Sequence, residues 1–435
     1  MKKNLFKEVF FTTPSGSVAV NIHGLVRAYL RQKNVIRCGE LYYQYEPQTG
    51  VWERKSTTEI KYGIARFCNS IRDNSWTKAI REYVLEEIFV RVDVVEEMDI
   101  EKNKICMKNG VLDLFTGKLE PFSPDYLFTY GLDYDYKPNK KTPAFDKFIH
   151  QVCCQKQERI DAICELMGYV LTCDISAEKI AYMKGDGQNG KSTLIRLMEN
   201  LVGKKHTCSL TLKGLESEFL RVQLLNKKMM TISELSVNDT KLLFEGVCKA
   251  IVSGDSIDAN IKHGPVITFI PTVKIVIASN HEISFANDST YGAIRRIAVF
   301  PFELSVSNEK KDVNLGESLR NELPGIIEIA RKGYVRFVNQ GYHFSNESES
   351  DEILKQILFQ ENPIKEFVKE KIRKCHENKV KNSELRDAYS AWSQENGVVG
   401  VVPRAEKIAK EIANSYNIED FKGGNARGIK HIKIL

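Results

Sequence analysis

The chain has 435 residues, 42% of them hydrophobic, with 63 Lys and Arg against 57 Asp and Glu for a net charge of +6, a length and composition suited to a soluble protein of two to four domains with a large core. No apolar run reaches the ~18 residues of a membrane-spanning helix, and the opening MKKNLFKEVFF, broken by Lys7 and Glu8, lacks the pattern of a signal peptide. The ten cysteines form no C-x-x-C pair, which argues against a zinc site and for reduced thiols in a cytoplasmic protein.

Taken in chain order, residues 1–141 alternate short apolar runs with turn signals and predict a mixed α+β domain. LYYQYEPQTGVWER holds two strand-like runs around Pro47 to Gly50, and NGVLDLFTGKLEPF a second hairpin. Residues 142–176 change pattern. Phe145, Phe148, Ile149 and Val152 recur at helical spacing, as do Ile160, Ile163, Cys164, Met167 and Val170, predicting a pair of amphipathic helices. Residues 177–344 read as an α/β domain. SNESESDE, from Ser345 to Glu352, is polar and acidic, and residues 345–362 are expected to form a linker. Residues 363–435 carry 15 Lys and Arg against 10 Asp and Glu, a local +5 that points to a polyanion partner. Here Phe367, Val368 and Ile372, then Leu385, Tyr389 and Trp392, then Ile408, Ile412 and Ala413 mark three helices. FKGGNARGIKHIKIL reads as two strands around a Gly-rich turn carrying Arg427. Three helices and a two-stranded wing is the order of a winged-helix DNA-binding module, which sets a helix in the major groove and its wing on the backbone.

Chemistry concentrates in the α/β stretch. KIAYMKGDGQNGKSTLIRLMENLVG reads as strand, glycine loop and helix, with the pattern G-x-x-x-x-G-K-[ST]. Gly185, Gly187 and Gly190 free backbone N–H groups to wrap phosphates, and the helix N-terminus adds its positive end. Lys191 is placed to reach the β- and γ-phosphates and Ser192 to ligate Mg²⁺. The candidate nucleotide-binding set is Gly185, Asp186, Gly187, Gln188, Asn189, Gly190, Lys191, Ser192 and Thr193, with ATP and Mg²⁺ as the expected ligands. About forty residues on, the short strand from Met229 to Ser233 ends at Glu234, a carboxylate suited to orienting Mg²⁺ and polarising the attacking water. TVKIVIASN ends at Asn280, an amide that can position the same water. Arg295 and Arg296 precede another apolar strand, where a guanidinium can be offered to a neighbouring subunit. NIKHGPVITF predicts a hairpin whose tip carries Lys262 and His263, a candidate nucleic-acid contact.

In this order the phosphate loop, the strand ending in Glu234, the K-x-x-x-S-G-D element from Lys249 to Asp255, the basic hairpin, the strand ending in Asn280 and the Arg pair resemble the superfamily 3 helicases of phage, plasmid and poxvirus primase-helicases. NGVLDLFTGKLEPFSPDYLFTYGLDYDY resembles the domain preceding the helicase in that family, and LRDAYSAWSQENG the opening of its C-terminal winged helix. The resemblance covers roughly residues 40 to 435. It implies an AAA+-like ATPase with a helical collar, acting as a homo-oligomeric ring, usually a hexamer, with ATP between subunits. The arginine is given in trans, and hairpins grip DNA in a channel during 3′ to 5′ translocation. The implied partners are single- and double-stranded DNA, with a separate primase or host replication proteins and no membrane. The short stretch before residue 40 leaves little room for a primase domain, and neither DYD at Asp133 to Asp135 nor VDVVEEMD is a convincing polymerase acid cluster. The expectation is a replication-initiator helicase of a mobile element. Two alternatives stand beside it: an ATP-dependent origin-binding or loading protein without unwinding, and a small-molecule kinase, against which the Arg pair, basic hairpin and basic C-terminus argue.

Overall fold

The computed structural model describes the chain apart from residues 1, 188, 234, 236–239, 263, 281–282, 286–290, 305–311, 313, 399–400, 419 and 424–425. The fold is mixed α/β and divides into two units. The first holds residues 1–234, 245–280 and 300–346, and the second holds 235–244, 281–299 and 347–435.

At the start of the first unit, helices Ile22–Lys33, Thr57–Ile71 and Lys78–Arg91 close around Leu25, Tyr29, Ile60, Ile64, Phe67 and Ile88. Ser56 and Glu59 cap the second of them reciprocally, satisfying two N-terminal donors. Val35–Cys38, Leu41–Glu46, Val51–Lys55 and Asp93–Val95 make a four-stranded sheet. The two hairpins read from the sequence are present, as Leu41–Glu46 with Val51–Lys55 and as Gly110–Asp113 with Leu119–Glu120.

The predicted helix pair forms as Pro143–Val152 and Gln157–Tyr169. The second lies against the long helix Leu315–Asn339 at a crossing set by glycine. A Cβ on Gly168 would come 2.1 Å from the Ala330 carbonyl oxygen, and one on Gly333 would come 2.3 Å from that of Cys164. The two backbones meet where side chains are missing.

The centre of the unit is a five-stranded sheet in the order Thr207–Ser209, Met229–Ile232, Lys274–Ser279, Ile180–Lys184, Ile297–Pro301, the last contributing Phe300 and Pro301 to this unit. The first four strands pair in parallel. Nearly every residue of Met229–Ile232, Lys274–Ser279 and Ile180–Lys184 is buried, as sheets covered on both faces require. Outside the sheet, Ile257–Asn260 and Val266–Phe269 form the predicted antiparallel hairpin.

In the second unit, residues from Pro363 on run helix Pro363–Lys371, strand Ile372–Lys381, helices Asn382–Glu395 and Ala405–Tyr416, and strands Asp420–Gly423 and Ala426–Ile434. Phe367, Leu385, Tyr389, Trp392, Ile408, Ile412, Ile429 and Ile432 form their core. Two expectations are corrected here. Residues 345–362 are not a linker: they contain the 15-residue helix Glu347–Glu361, which buries Ser350, Leu354 and Ile357. Acidic residues in a first turn favour a helix N-terminus, and the polar composition concealed that. Ile372 does not close the first helix but opens a strand missed in the sequence, because its lysine-rich run offers little apolar alternation.

Candidate nucleotide site and nucleic-acid contacts

The strand Ile180–Lys184 runs into a loop that ends in helix Lys191–Val202. Gly190 has φ +94°, and a Cβ there would lie 2.6 Å from Val152 Cγ1, so conformation and space both demand glycine. A Cβ on Gly185 would lie 2.2 Å from the Phe302 carbonyl oxygen, whereas around Gly187 nothing comes within 4 Å. The loop is therefore packed on its inner side and open at Gly187.

Asn189 pins it. Its buried side chain donates from Nδ2 to the Phe302 carbonyl at 2.9 Å and accepts from Lys191 Nζ at 3.1 Å. Lys191 Nζ also donates to the carbonyls of Gly185 at 2.5 Å and Asp186 at 2.9 Å. Burial pulls the Lys191 pKa below its ordinary value, with Asp186 opposing. The ammonium is thus held at the loop by weak dipoles, which an anion can replace. The N-cap Gly190 has no side chain to cap the helix, so the first-turn N–H groups are left for a ligand. Ser192 is exposed and Thr193 half-buried on that turn. Glycine freedom, an uncapped helix start, a desolvated ammonium and a hydroxyl together fit a triphosphate with Mg²⁺, which takes few protein ligands.

Register brings the next candidate beside this loop. Lys184 pairs with Ser279 across the parallel ladder, so exposed Asn280 leaves the sheet at the edge where the loop begins. On the far side of that strand Ile232 pairs with Ile277. Glu234 follows Ile232 by two residues and lies outside the described residues, as do Gln188 and His263. Lys262 is exposed in the hairpin turn, which is closed by Gly264 N–H donating to the Ile261 carbonyl at 2.8 Å. Arg295 and Arg296 belong to the second unit, just after helix Tyr291–Ile294. Arg295 is exposed, while Arg296 is half-buried with Nη1 donating to the Gly292 carbonyl at 2.5 Å. Arg427 is exposed on the strand Ala426–Ile434, opposite Lys422 in register.

The sequence reading missed two lysines at the opposite edge of the sheet. Lys228 is fully buried, its Nζ 3.1 Å from Asp99 Oδ2, 3.2 Å from Cys173 Sγ and 4.1 Å from the centre of the Tyr130 ring. Burial alone would lower its pKa, but Asp99 and Cys173 reverse that and leave it raised. Lys274 donates to the carbonyls of Thr272, at 3.0 Å, and Thr172, and burial pulls its pKa down to about 7. Both stand where strands begin, and the six-residue strand Lys274–Ser279 separates them from the end of the sheet where the glycine loop begins by roughly 16–20 Å. They tie the preceding domain to the sheet. A lysine flanking an apolar strand is usually solvated, so the sequence carried no signal for them.

Comparison with known proteins finds related families and a shared fold. Residues 24–154 match the family described as D5 N terminal like, and residues 183–296 match a family of unknown function, DUF5906. Over 125 residues, 26% of this chain and 69% of the relative, the sequence is 30% identical to the uncharacterized mitochondrial protein ymf21 of Marchantia polymorpha. Over 250 residues it is 25% identical to "Putative helicase L207/L206" of Acanthamoeba polyphaga mimivirus, covering 55% of this chain and only 25% of that protein. Among solved structures, the apo C-terminal region of NrS-1 shares the fold with a TM-score of 0.57 at 13% identity, over 94% of this chain and 98% of that one. The chain belongs to the phage and viral primase-helicase family.

Proposed function

We propose that this protein is an ATP-driven DNA helicase. In this reading an AAA+-like ATPase core and a C-terminal winged-helix module work as a hexameric ring. The ring unwinds duplex DNA in the 3′ to 5′ direction to start replication of a phage, plasmid or other mobile element. The observation that carries the reading is the Lys184–Ser279 register, which brings Asn280 to the end of the sheet where the glycine loop begins and so supports a shared nucleotide site.

The chemistry then follows from the chain's own groups. Lys191 exchanges its loop carbonyls for the β- and γ-phosphates, and the open face at Gly187 lets backbone N–H groups approach them. Ser192 and Glu234 would hold Mg²⁺, which would supply charge neutralisation at the phosphates. Water attacks the γ-phosphorus, its proton passing to Glu234 or the departing phosphate, while Asn280 holds the water in line. The bond to the β-phosphate oxygen breaks and ADP leaves. Arg295 or Arg296 meets the developing charge in a neighbouring subunit. Arg296 would first have to release Gly292. Lys262 and His263 contact DNA in the channel, and Arg427 contacts it on the wing.

The test is ATP turnover together with strand displacement. Lys191→Ala should lose ATP binding, and Glu234→Gln should bind ATP yet turn over at least ~100-fold more slowly. Near-normal turnover in Glu234→Gln would sink the assignment. ATPase without displacement of a paired strand would leave the loading-protein alternative in its place.

A further inference from the structure

The second unit draws together three stretches of the chain, residues 235–244, 281–299 and 347–435. The first follows Glu234. The second follows Asn280 and includes Arg295 and Arg296. The third opens with helix Glu347–Glu361 and holds the C-terminal module. Two of the candidate catalytic residues therefore lead directly into the unit that carries this module.

Helix Glu347–Glu361 joins these stretches. Ser350, Leu354, Ile357 and Glu361 follow one another at spacings of four, three and four, which puts them on one helix face. Leu354 and Ile357 are buried in the middle of that face. At each end stands a polar group that accepts a backbone N–H from residues 281–299. The buried Ser350 Oγ accepts from the Val299 N–H at 2.9 Å, three residues after Arg296. The Glu361 carboxylate accepts from the N–H of buried Phe285, its two oxygens at 2.7 and 3.0 Å, five residues after Asn280. Phe285 also stacks on Phe244, ring centres 5.3 Å apart, so the stretch that follows Glu234 meets the same point. The two polar ends lie roughly 16 Å apart along the helix, and they bracket the segment that carries the arginine pair.

Glu361 is also where this helix enters the C-terminal module. Phe359 stands 5.3 Å from the Trp392 ring and packs against the module's core. Asn362 caps helix Pro363–Lys371, its side chain accepting from the Lys365 N–H at 3.3 Å. The backbone around Glu361 is thus fixed to the module, while its carboxylate is fixed to Phe285. A charged acceptor makes that hold stronger than a neutral one would.

We propose that Glu361 is a positioning residue that couples the C-terminal module to ATP hydrolysis. A shift of the module on taking DNA passes through the Phe285 N–H to the chain that leaves Asn280. The inference rests on the helicase reading, and it names the connection by which DNA on the module regulates the nucleotide site.

The test measures steady-state ATP turnover of the full chain with and without a short duplex, together with duplex binding and thermal unfolding. Wild type should turn over faster with duplex present. Glu361→Ala should lose that stimulation, its turnover with duplex matching its turnover without, while duplex affinity and KM for ATP stay as in wild type. Glu361→Gln keeps one acceptor oxygen and should stand between the two. Glu352→Ala, at an exposed position of the same helix, should respond to duplex as wild type does. Full stimulation in Glu361→Ala overturns the inference and leaves the helicase reading intact. A lower thermal midpoint with the stimulation ratio unchanged overturns it too, because Glu361 would then be structural. If Glu361→Ala does not fold, Glu361→Gln decides by the same ratio. Wild-type turnover that ignores duplex rejects the coupling alone, whereas a wild-type chain that hydrolyses no ATP overturns the helicase reading and this inference with it.

Discussion

Gly185 and Gly187 lie two residues apart in one loop, yet a methyl group meets different surroundings at each. At Gly185 it would strike the Phe302 carbonyl at 2.2 Å and Asn189 Nδ2 at 2.3 Å, while at Gly187 it meets open space. Gly187→Ala should therefore fold within ~0.5 kcal/mol of wild type but lose roughly tenfold in ATP affinity, about 1.4 kcal/mol, because the methyl occupies the approach of the phosphates. Gly185→Ala should fall in stability first. Nucleotide titration beside urea unfolding checks the pair, and unchanged affinity in Gly187→Ala would place the nucleotide elsewhere. A second residue prediction concerns acid. His206 is buried against Tyr130, with Nε2 3.2 Å from the Gly131 carbonyl oxygen, and burial, with Lys205 adding, lowers its pKa to about 4. The unfolded value is about 6.5, so the unfolded chain takes up the proton first. Stability from this group is whole above ~6.5 and is lost as pH falls toward about 4, by roughly 3 kcal/mol. Unfolding midpoints on either side of that window should converge in His206→Gln, and an equal acid loss in both proteins would reject the assignment.

At the scale of elements, the crossing of Gln157–Tyr169 with Leu315–Asn339 shows how glycine sets helix distance. Gly333 and Gly316 sit in the same helix, but only Gly333 faces a backbone, with the Cys164 carbonyl carbon and oxygen 2.4 and 2.3 Å from where a Cβ would lie. Gly333→Ala must push the helices apart and should cost about 1–3 kcal/mol. Gly316→Ala meets nothing within 4 Å and should stabilise by ~0.5–1 kcal/mol through helix propensity. Thermal unfolding of both variants tests the contrast. A gain at both positions would mean that propensity and not packing rules this helix.

At the scale of the whole molecule, the question is whether catalysis is shared between copies. The exposed Arg295 and the half-buried Arg296 make the expectation specific. A subunit lacking the acting arginine is inactive alone but recovers part of its ATPase when mixed with Lys191→Ala subunits, since some interfaces then pair an intact loop with an intact arginine. Run separately on Arg295→Ala and Arg296→Ala, the mixing experiment identifies the residue. Absence of recovery in demonstrably mixed assemblies would reject a shared site. A truncation meant to remove the C-terminal module belongs after Asn362 and not near Glu352, which would cut through the helix Glu347–Glu361.

The sequence by itself determined what is local. The glycine loop, the strands that precede Glu234 and Asn280, the hairpin carrying Lys262 and the three C-terminal helices follow from spacing and periodicity between near neighbours, and they reappear as strand, loop and helix. Tertiary structure decided what depends on partners far along the chain. The parallel register that sets Asn280 beside Gly185 is fixed by pairing across almost a hundred residues. Asn189 holds the loop through Phe302, 113 residues away. Lys228 becomes a buried cation only because Asp99 arrives 129 residues from it in sequence, and no periodicity encodes that meeting. The strand Ile372–Lys381 forms because Ala426–Ile434 returns to pair with it. A lysine-rich run carries too little alternation to declare itself a strand, and only the neighbouring strand's hydrogen bonds and the core beneath them make it one.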